Sequence, residues 1–459
     1  MSETARPRVA VILAAGKGSR MRSDRPKVLH PVGGRPMIEW VIDAARGGGC
    51  ERILIIVGHG AEAVRARIPG DDITWVEQHE QLGTGHALAQ AEPYLDGEAT
   101  VLVLSGDVPR VAPETLEKLA TQAATCWGVA AVAVLEEAGS LGRVIARPGG
   151  ELERIVEAAD ASPQELAVKR INAGLYALPA PQIFDYLKRL DTANAQGEIY
   201  LTDALGSAVA AGESVTLLEL EDPTEAFGVN DRADLAKVHR ALLDDHLERL
   251  MATGVTILEP SRTSIEPSVR VGAETVIHPD VSLGGQTEIG NSCVLHQGVW
   301  IRDSYIAQGV DIQPYSVIDQ AEVATGCTIG PFARLRPASV LLEGARVGNF
   351  VETKKTRLGA GAKASHLTYL GDATVGDGAN IGAGVVTCNY DGTSKHRTEI
   401  GEGAFVGSDT MLVAPVKVGR EATTAAGSTI TDDVPDEALA VSRARQRIIP
   451  EWARRRRKK

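Results

Sequence analysis

The chain has 459 residues, of which 44% are hydrophobic, 24% charged and only 4% aromatic, with 48 glycines. These values exclude a wholly disordered chain and, without a Gly-X-Y period, a collagen. Its formal charge of −12 argues against broad nucleic-acid binding through one large basic surface, so an anionic ligand must be held by basic groups gathered locally.

From the N-terminus, the first apolar run, residues 9–15, is too short for a secretory signal and leads into a glycine loop. No apolar run later in the chain is long enough to span a membrane. Residues 9–15, 53–58, 101–104 and 129–135 are short and β-branched or leucine-rich, as buried parallel strands are. Between them, residues 36–46 and 112–124 carry helical spacing. This alternation predicts a doubly wound α/β domain over residues 1–230. Residues 231–251 read as one amphipathic helix, with Leu235, Val238, Leu242, His246 and Leu250 on one stripe; it forms a connector ending at residue 254. Then the period changes. Ile265, Val271, Ile277, Leu283, Ile289, Leu295 and Ile301 are spaced by six without a break. The register resumes at Ile312 and Ile318, at Ile329, Leu335, Leu341 and Val347, at Val375 and Ile381, and from Ile400 to Ile430. Neither a helix nor a flat sheet has a period of six; a triangular β-helix does, each aliphatic residue pointing inward. The gap between Thr387 and Ile400 predicts an extruded loop. The β-helix is expected over residues 255–447 and a solvated basic tail over 448–459, ending in six consecutive basic residues from Arg454. The cysteines, Cys50, Cys126, Cys293, Cys327 and Cys388, are five in number with no CxxC pair; a reducing cytoplasm is expected.

Several segments of the first half carry chemistry. Leu13-Ala14-Ala15-Gly16-Lys17-Gly18-Ser19-Arg20 follows the first strand. A glycine turn there lets backbone N–H groups approach phosphates, while Lys17 and Arg20 add charge. Alone it is a weak signal, being neither a dinucleotide fingerprint nor a Walker loop. Arg25-Pro26-Lys27 follows, then Gln78-His79-Glu80-Gln81-Leu82-Gly83-Thr84-Gly85, then Ser105-Gly106-Asp107 at a strand's end. Ligands in open α/β sheets bind beyond the carboxyl ends of strands, where Asp107 is placed to hold Mg²⁺ against a polyphosphate.

This set resembles the sugar-nucleotide pyrophosphorylases. The second half narrows the resemblance through Arg334-Leu335-Arg336-Pro337, Gly348-Asn349-Phe350-Val351-Glu352-Thr353-Lys354-Lys355, His366-Leu367-Thr368-Tyr369-Leu370-Gly371-Asp372, Asn380-Ile381-Gly382-Ala383-Gly384 and Thr387-Cys388-Asn389-Tyr390-Asp391-Gly392. Nearly the whole chain is similar to the bacterial bifunctional N-acetylglucosamine-1-phosphate uridylyltransferases and glucosamine-1-phosphate N-acetyltransferases. The resemblance implies a left-handed parallel β-helix, a homotrimer, UTP and acetyl-CoA as co-substrates, Mg²⁺, and no nucleic-acid partner. The amino sugar, glucosamine 1-phosphate, is acetylated first; N-acetylglucosamine 1-phosphate then takes the uridylyl group. By the match, Leu13, Ala14, Ala15, Gly16, Arg20 and Lys27 meet the nucleotide, Gln78, Gly83 and Thr84 read the uracil, and Ser105, Gly106 and Asp107 line the same site. Asp107 and Asn230 bind the metal. Gly142, Glu157, Asn172 and Thr202, with Tyr200 nearby, match the N-acetylglucosamine positions. The family commonly has Tyr where this chain has Ser105, which weakens any ring contact at that position. His366 matches the catalytic base, Arg336, Lys354, Tyr369 and Asn380 the amino-sugar-phosphate pocket, and Ala383, Asn389, Tyr390, Ser408, Ala426 and Arg443 the acetyl-CoA positions; Lys395 lies in the extruded loop. Two other readings stay open at this point: a nucleotidyltransferase with a regulatory, non-catalytic β-helix, and a non-catalytic scaffold.

Overall fold

A computed structural model describes residues 6–192, 194 and 197–457. The chain divides into two compact units, Met1–Leu242 and Leu243–Lys459. In the first, Arg8–Ala14 lies at the heart of a sheet, parallel to Arg52–Val57 on one side and Ala99–Ser105 on the other. Successive strand residues face opposite ways. Ala10 and Ile12 therefore pack with Ile38 and Val41 of the helix Met37–Gly47 and with Leu116 and Leu119 of Pro113–Gln122. Val9 and Val11 face Leu88, Phe184, Leu201 and Leu205 on the other side. The sheet thus has helices on both faces, as the alternating pattern predicts.

One strand departs from that pattern. Arg170–Ala180 runs antiparallel between Ala99–Ser105 and Gly128–Val134, so the sheet is mixed rather than wholly parallel. Its register shifts between Asn172 and Tyr176. The residues there, Asn172-Ala173-Gly174, and Pro179 further on, read in sequence as strand breakers. The first three fall in the irregular stretch, and Pro179 lies past Ala177, where the pairing with Gly128–Val134 ends, so that it has a ladder partner, Thr100, on one side alone.

The helix predicted at 231–251 spans Arg232–Ala252, and the division between units falls inside it. Val238 and Leu242 join Met21, Val32 and Met37 in the first unit. Leu247 and Leu250 belong to the second unit's core. His246 is also buried; burial lowers its pKa, and its neutral ring contacts the Val269 carbonyl through Nε2 at 3.1 Å.

The second unit is a three-sided parallel β-helix whose faces are sheets of 11, 10 and 9 strands. Leu283 pairs with Ile301 one coil above, and Ile301 with Ile318. Ile265, Ile277, Leu283, Leu295, Ile301, Ile312 and Ile318 all point into the core, while Val271 is only partly buried. The register that the aliphatic pattern loses between Val347 and Val375 is continuous in space. Thr353, Leu358, Ala364 and Leu370 fill it, each fully buried. Thr353 escapes a search for aliphatic residues, and its hydroxyl donates to Ser339 Oγ at 2.8 Å.

Each coil turns its corners on residues with positive φ. Along one edge these are Tyr315, Phe332, Phe350 and Leu367, with φ between 44° and 58°, where glycine is the residue of least strain. All four side chains are about half exposed. The Tyr315, Phe332 and Phe350 rings stack with centroids 5.4 Å apart. The expected extrusion lies between the strands Val386–Cys388 and Thr398–Ile400. It folds back as a small hairpin: Tyr390 pairs with Lys395, and Asp391 accepts the Thr393 and Ser394 N–H groups and contacts His396 Nε2, each at 2.7 Å. The tail is exposed from residue 441 to 457, but it is not structureless, since Trp452–Arg456 forms a short helix. Of the six terminal basic residues, Lys458 and Lys459 lie outside the described residues.

Candidate active sites

The first site forms where the central strand ends. The Gly106 N–H donates to the Leu13 carbonyl at 2.9 Å, and the Val229 N–H to that of Asp107 at 2.9 Å. These two bonds bring the glycine loop, Asp107 and Asn230 to one place. Gly18 has φ +59, and a Cβ there would stand 2.7 Å from Lys27 Cβ; glycine at 18 is what lets Lys27 fold under the loop. Lys27 Nζ donates to Asp107 Oδ2 and, at 3.1 Å, to Asn230 Oδ1. Arg20 reaches the same amide oxygen at 3.0 Å. A carboxylate and an amide oxygen thus already converge on a cation. That donor set suits Mg²⁺, which takes one or two protein oxygens and completes its shell with phosphate and water.

A cavity of about 340 Å³ opens over these groups, lined by Leu13, Ala14, Ala15, Gly16, Arg20, Lys27, Gln78, Gly83, Thr84, Ser105, Asp107 and Asn230. Every predicted nucleotide residue except Gly106 is there, and Gly106 closes the floor through its bond to Leu13. Lys17 is exposed and not among the lining residues. Glu198 and Gln81 line the cavity too; the sequence gives neither a role, since Glu198 stands outside every motif and Gln81, though inside the motif at residues 78–85, carries no chemistry of its own there. Gln78 is buried, its amide donating to the Gly83 carbonyl at 3.3 Å.

The predicted sugar residues lie beside a neighbouring hollow lined by Glu157, Tyr200, Thr202 and Asp203. Thr202 Oγ1 donates to Glu157 Oε1 at 3.1 Å, the Asn172 N–H to the Gly142 carbonyl at 2.9 Å, and the Asn172 side chain to the Tyr176 hydroxyl at 2.6 Å. Burial, then the neighbouring Asp203 and Asp160, raises the Glu157 carboxyl above its ordinary range, though the Thr202 bond opposes this. Burial also raises Asp203 and lifts the Tyr200 phenol to about 12. The Tyr200 hydroxyl is buried without a hydrogen-bond partner among the described residues.

The second constellation follows the β-helix edge. His366 sits just before the left-handed corner residue Leu367, as Ala383 does before Gly384, Ser408 before Asp409 and Ala426 before Gly427. These predicted residues therefore make one row, and Arg443 Nη1 donates to the Ala426 carbonyl at 3.0 Å at its end. Around the corner, Arg336 pairs with Glu352 at 2.8 Å. Lys354 has Lys395 and Arg336 for neighbours, and contact with Lys395 lowers its pKa first, then the field of both. Crowded like charges of this kind are relieved by an anion. Tyr369 and Asn389 lean over Gly371, where a Cβ would meet the Tyr369 hydroxyl at 2.4 Å and Asn389 Nδ2 at 2.8 Å. Asn380 pairs with Lys363 and Phe405 in the adjoining face, and Tyr390 is exposed on the hairpin.

The family model of the MobA-like NTP transferase domain matches residues 10–208, and that of the GMPPB C-terminal domain matches residues 263–358. A Pelobacter propionicus protein named bifunctional protein GlmU is 48% identical over 454 residues, covering 98% of this chain and 99% of that one. Proteins of the same name from Alkalilimnicola ehrlichii and Chromobacterium violaceum are 48% and 46% identical; each comparison covers 97% of this chain, with 96% and 97% of the relative.

Proposed function

The chain belongs to the family of proteins named bifunctional protein GlmU, and from that premise we propose how its two constellations divide the work. It is a two-activity enzyme of UDP-N-acetylglucosamine synthesis: the β-helix unit acetylates glucosamine 1-phosphate and the α/β unit transfers a uridylyl group to N-acetylglucosamine 1-phosphate. A merely regulatory β-helix is not favoured.

The observation that carries the assignment of the first site is the convergence of Asp107 and Asn230 on Lys27 beneath the glycine loop. With UTP in the cavity, the amide groups of residues 13–20 face its phosphates and Lys27 transfers from Asp107 to phosphate oxygens. A sugar-phosphate oxygen forms a bond to the α-phosphorus in line as the bond to the leaving pyrophosphate breaks. Asp107 and Asn230 would hold Mg²⁺, which would offset the phosphate charge when bound. Glu157, Thr202, Asn172 and Gly142 hold the sugar.

In the second site Arg336 and Lys354, joined by Lys395, hold the phosphate dianion of the amino sugar. His366 takes the proton from the amine as nitrogen attacks the thioester carbonyl of acetyl-CoA, and the thiolate that leaves is then protonated. The row Ala383, Ser408, Ala426 and Arg443 follows the acetyl-CoA arm, with Asn389 and Tyr390 close to the thioester. The half-exposed ladder Tyr315, Phe332, Phe350 and Leu367 runs up to the residue after His366, which supports a homotrimer in which neighbouring copies complete the site. Five free thiols fit a reducing cytoplasm, and no described helix is long and apolar enough to cross a membrane.

The test is a coupled assay with UTP, acetyl-CoA, Mg²⁺ and glucosamine 1-phosphate. Asp107→Asn is expected to stop the reaction at N-acetylglucosamine 1-phosphate, and His366→Ala to stop it earlier while uridylylation of added N-acetylglucosamine 1-phosphate persists. Full acetyl-CoA consumption by His366→Ala would return the β-helix to a regulatory role.

A further inference from the structure

The surroundings of His366 single out another side chain for acetyl transfer, an inference that rests on the proposed role of His366 as base. Most strands of the β-helix last two or three residues, whereas Arg346–Asn349 and Lys363–His366 last four. Their pairing runs on until Asn349 lies opposite His366. Gly348 permits so close an approach, because a Cβ there would stand 1.9 Å from the Ser365 carbonyl oxygen. The Leu367 N–H donates to the Asn349 carbonyl at 3.0 Å, and Thr368 Oγ1 donates to that of His366 at 2.7 Å. The peptide group that follows His366 is thus held through both its carbonyl and its N–H.

Asn349 Oδ1 lies 2.9 Å from His366 Nδ1. An amide oxygen only accepts, so the nitrogen facing it carries the proton and Nε2 keeps the lone pair. We infer that Asn349 is the positioning residue for the base: it fixes the ring's orientation and holds it in the Nδ1–H tautomer, with Nε2 turned away from the coil to receive the amine's proton. An uncharged acceptor suits this task. A carboxylate would favour the imidazolium, which cannot take a proton. The charged groups on the strands beside His366 are the cations Arg346 and Lys363, with Arg336, Lys354 and the Arg336-paired Glu352 on the next face.

Asn349→Ala, Asn349→Asp and His366→Ala, made in the full chain, separate the possibilities. Asn349→Ala is expected to lower kcat for acetyl transfer about 10- to 100-fold, with KM for both substrates within about twofold of the parent. Asn349→Asp is expected to move the acidic limb of the kcat–pH profile up by about one pH unit, a change that a purely structural role does not produce. Uridylyl transfer and the melting profile of the same preparations report on folding. If His366→Ala is inactive while both Asn349 variants keep the parent's kcat and pH profile, the positioning role is overturned and the base stands. If His366→Ala still acetylates, the reading of the base itself falls.

Discussion

Glu157 and Asp203 are carboxyls that the fold holds against their own ionisation, chiefly by burial. A folded-state pKa raised above the unfolded value means that the folded chain binds the proton more readily. The stability this contributes is full below the ordinary carboxylate range and is lost as pH rises through the raised value. Glu157→Gln is therefore expected to melt about 1–3 °C above the parent at neutral pH, with the gain disappearing towards pH ~4. The same variant should bind N-acetylglucosamine 1-phosphate about 10- to 100-fold more weakly, since a hydrogen bond to a charged group contributes about 1.5–3 kcal/mol. Calorimetry at the two pH values, together with KM, checks both. At this scale little is legible in isolation: Glu157, Asn172 and Lys27 each read alone as surface residues, and only their order along the chain carries meaning. Gln81 and Asn349 lay inside recognisable motifs without a role of their own, and Glu198 lay outside every motif, because what each does comes from what the fold places opposite it.

Elements were more readable where a period repeats. The six-residue spacing announced the β-helix because every inward position must be apolar or internally bonded, and it faltered at Thr353, where a hydroxyl pair replaces an aliphatic contact. The antiparallel strand Arg170–Ala180 was hidden by residues that normally end strands. The extruded hairpin shows that elements can be removed as units. Its bonds close largely within residues 389–396, and the flanking strands pair with the coils on either side. Deleting residues 391–396 is expected to abolish acetyl transfer, measured by thiol release from acetyl-CoA, while uridylyl transfer and the melting midpoint stay near the parent's.

Over the whole molecule, charge and assembly say more than composition did. Residues 1–230 carry −11, residues 256–453 carry −6, and the last six residues +6, so the cations of the candidate sites, Arg20 and Lys27 in one and Arg336, Lys354 and Lys395 in the other, work within acidic surroundings. The stacked edge from Tyr315 to Leu367 places bulky side chains at left-handed corners where glycine would be less strained. A monomer gains little from them in water. In the proposed trimer their burial offsets that strain. Paired substitutions Phe332→Asp and Phe350→Asp are expected to reduce the mass seen by light scattering from three chains to one, abolishing acetyl transfer and sparing uridylyl transfer. A trimer that survives both changes would move the interface elsewhere.

The row from His366 through Ala383 and Ser408 to Ala426 is also a ruler. Each coil advances the edge by about 4.8 Å, so its far end stands about 14 Å from the histidine. A donor gripped at Ala426 reaches His366 only if its arm spans that distance. On the proposed reading of this row as the acetyl-CoA edge, the acyl carrier is selected by length before any group on it is recognised, with a tolerance set by the pitch of one coil.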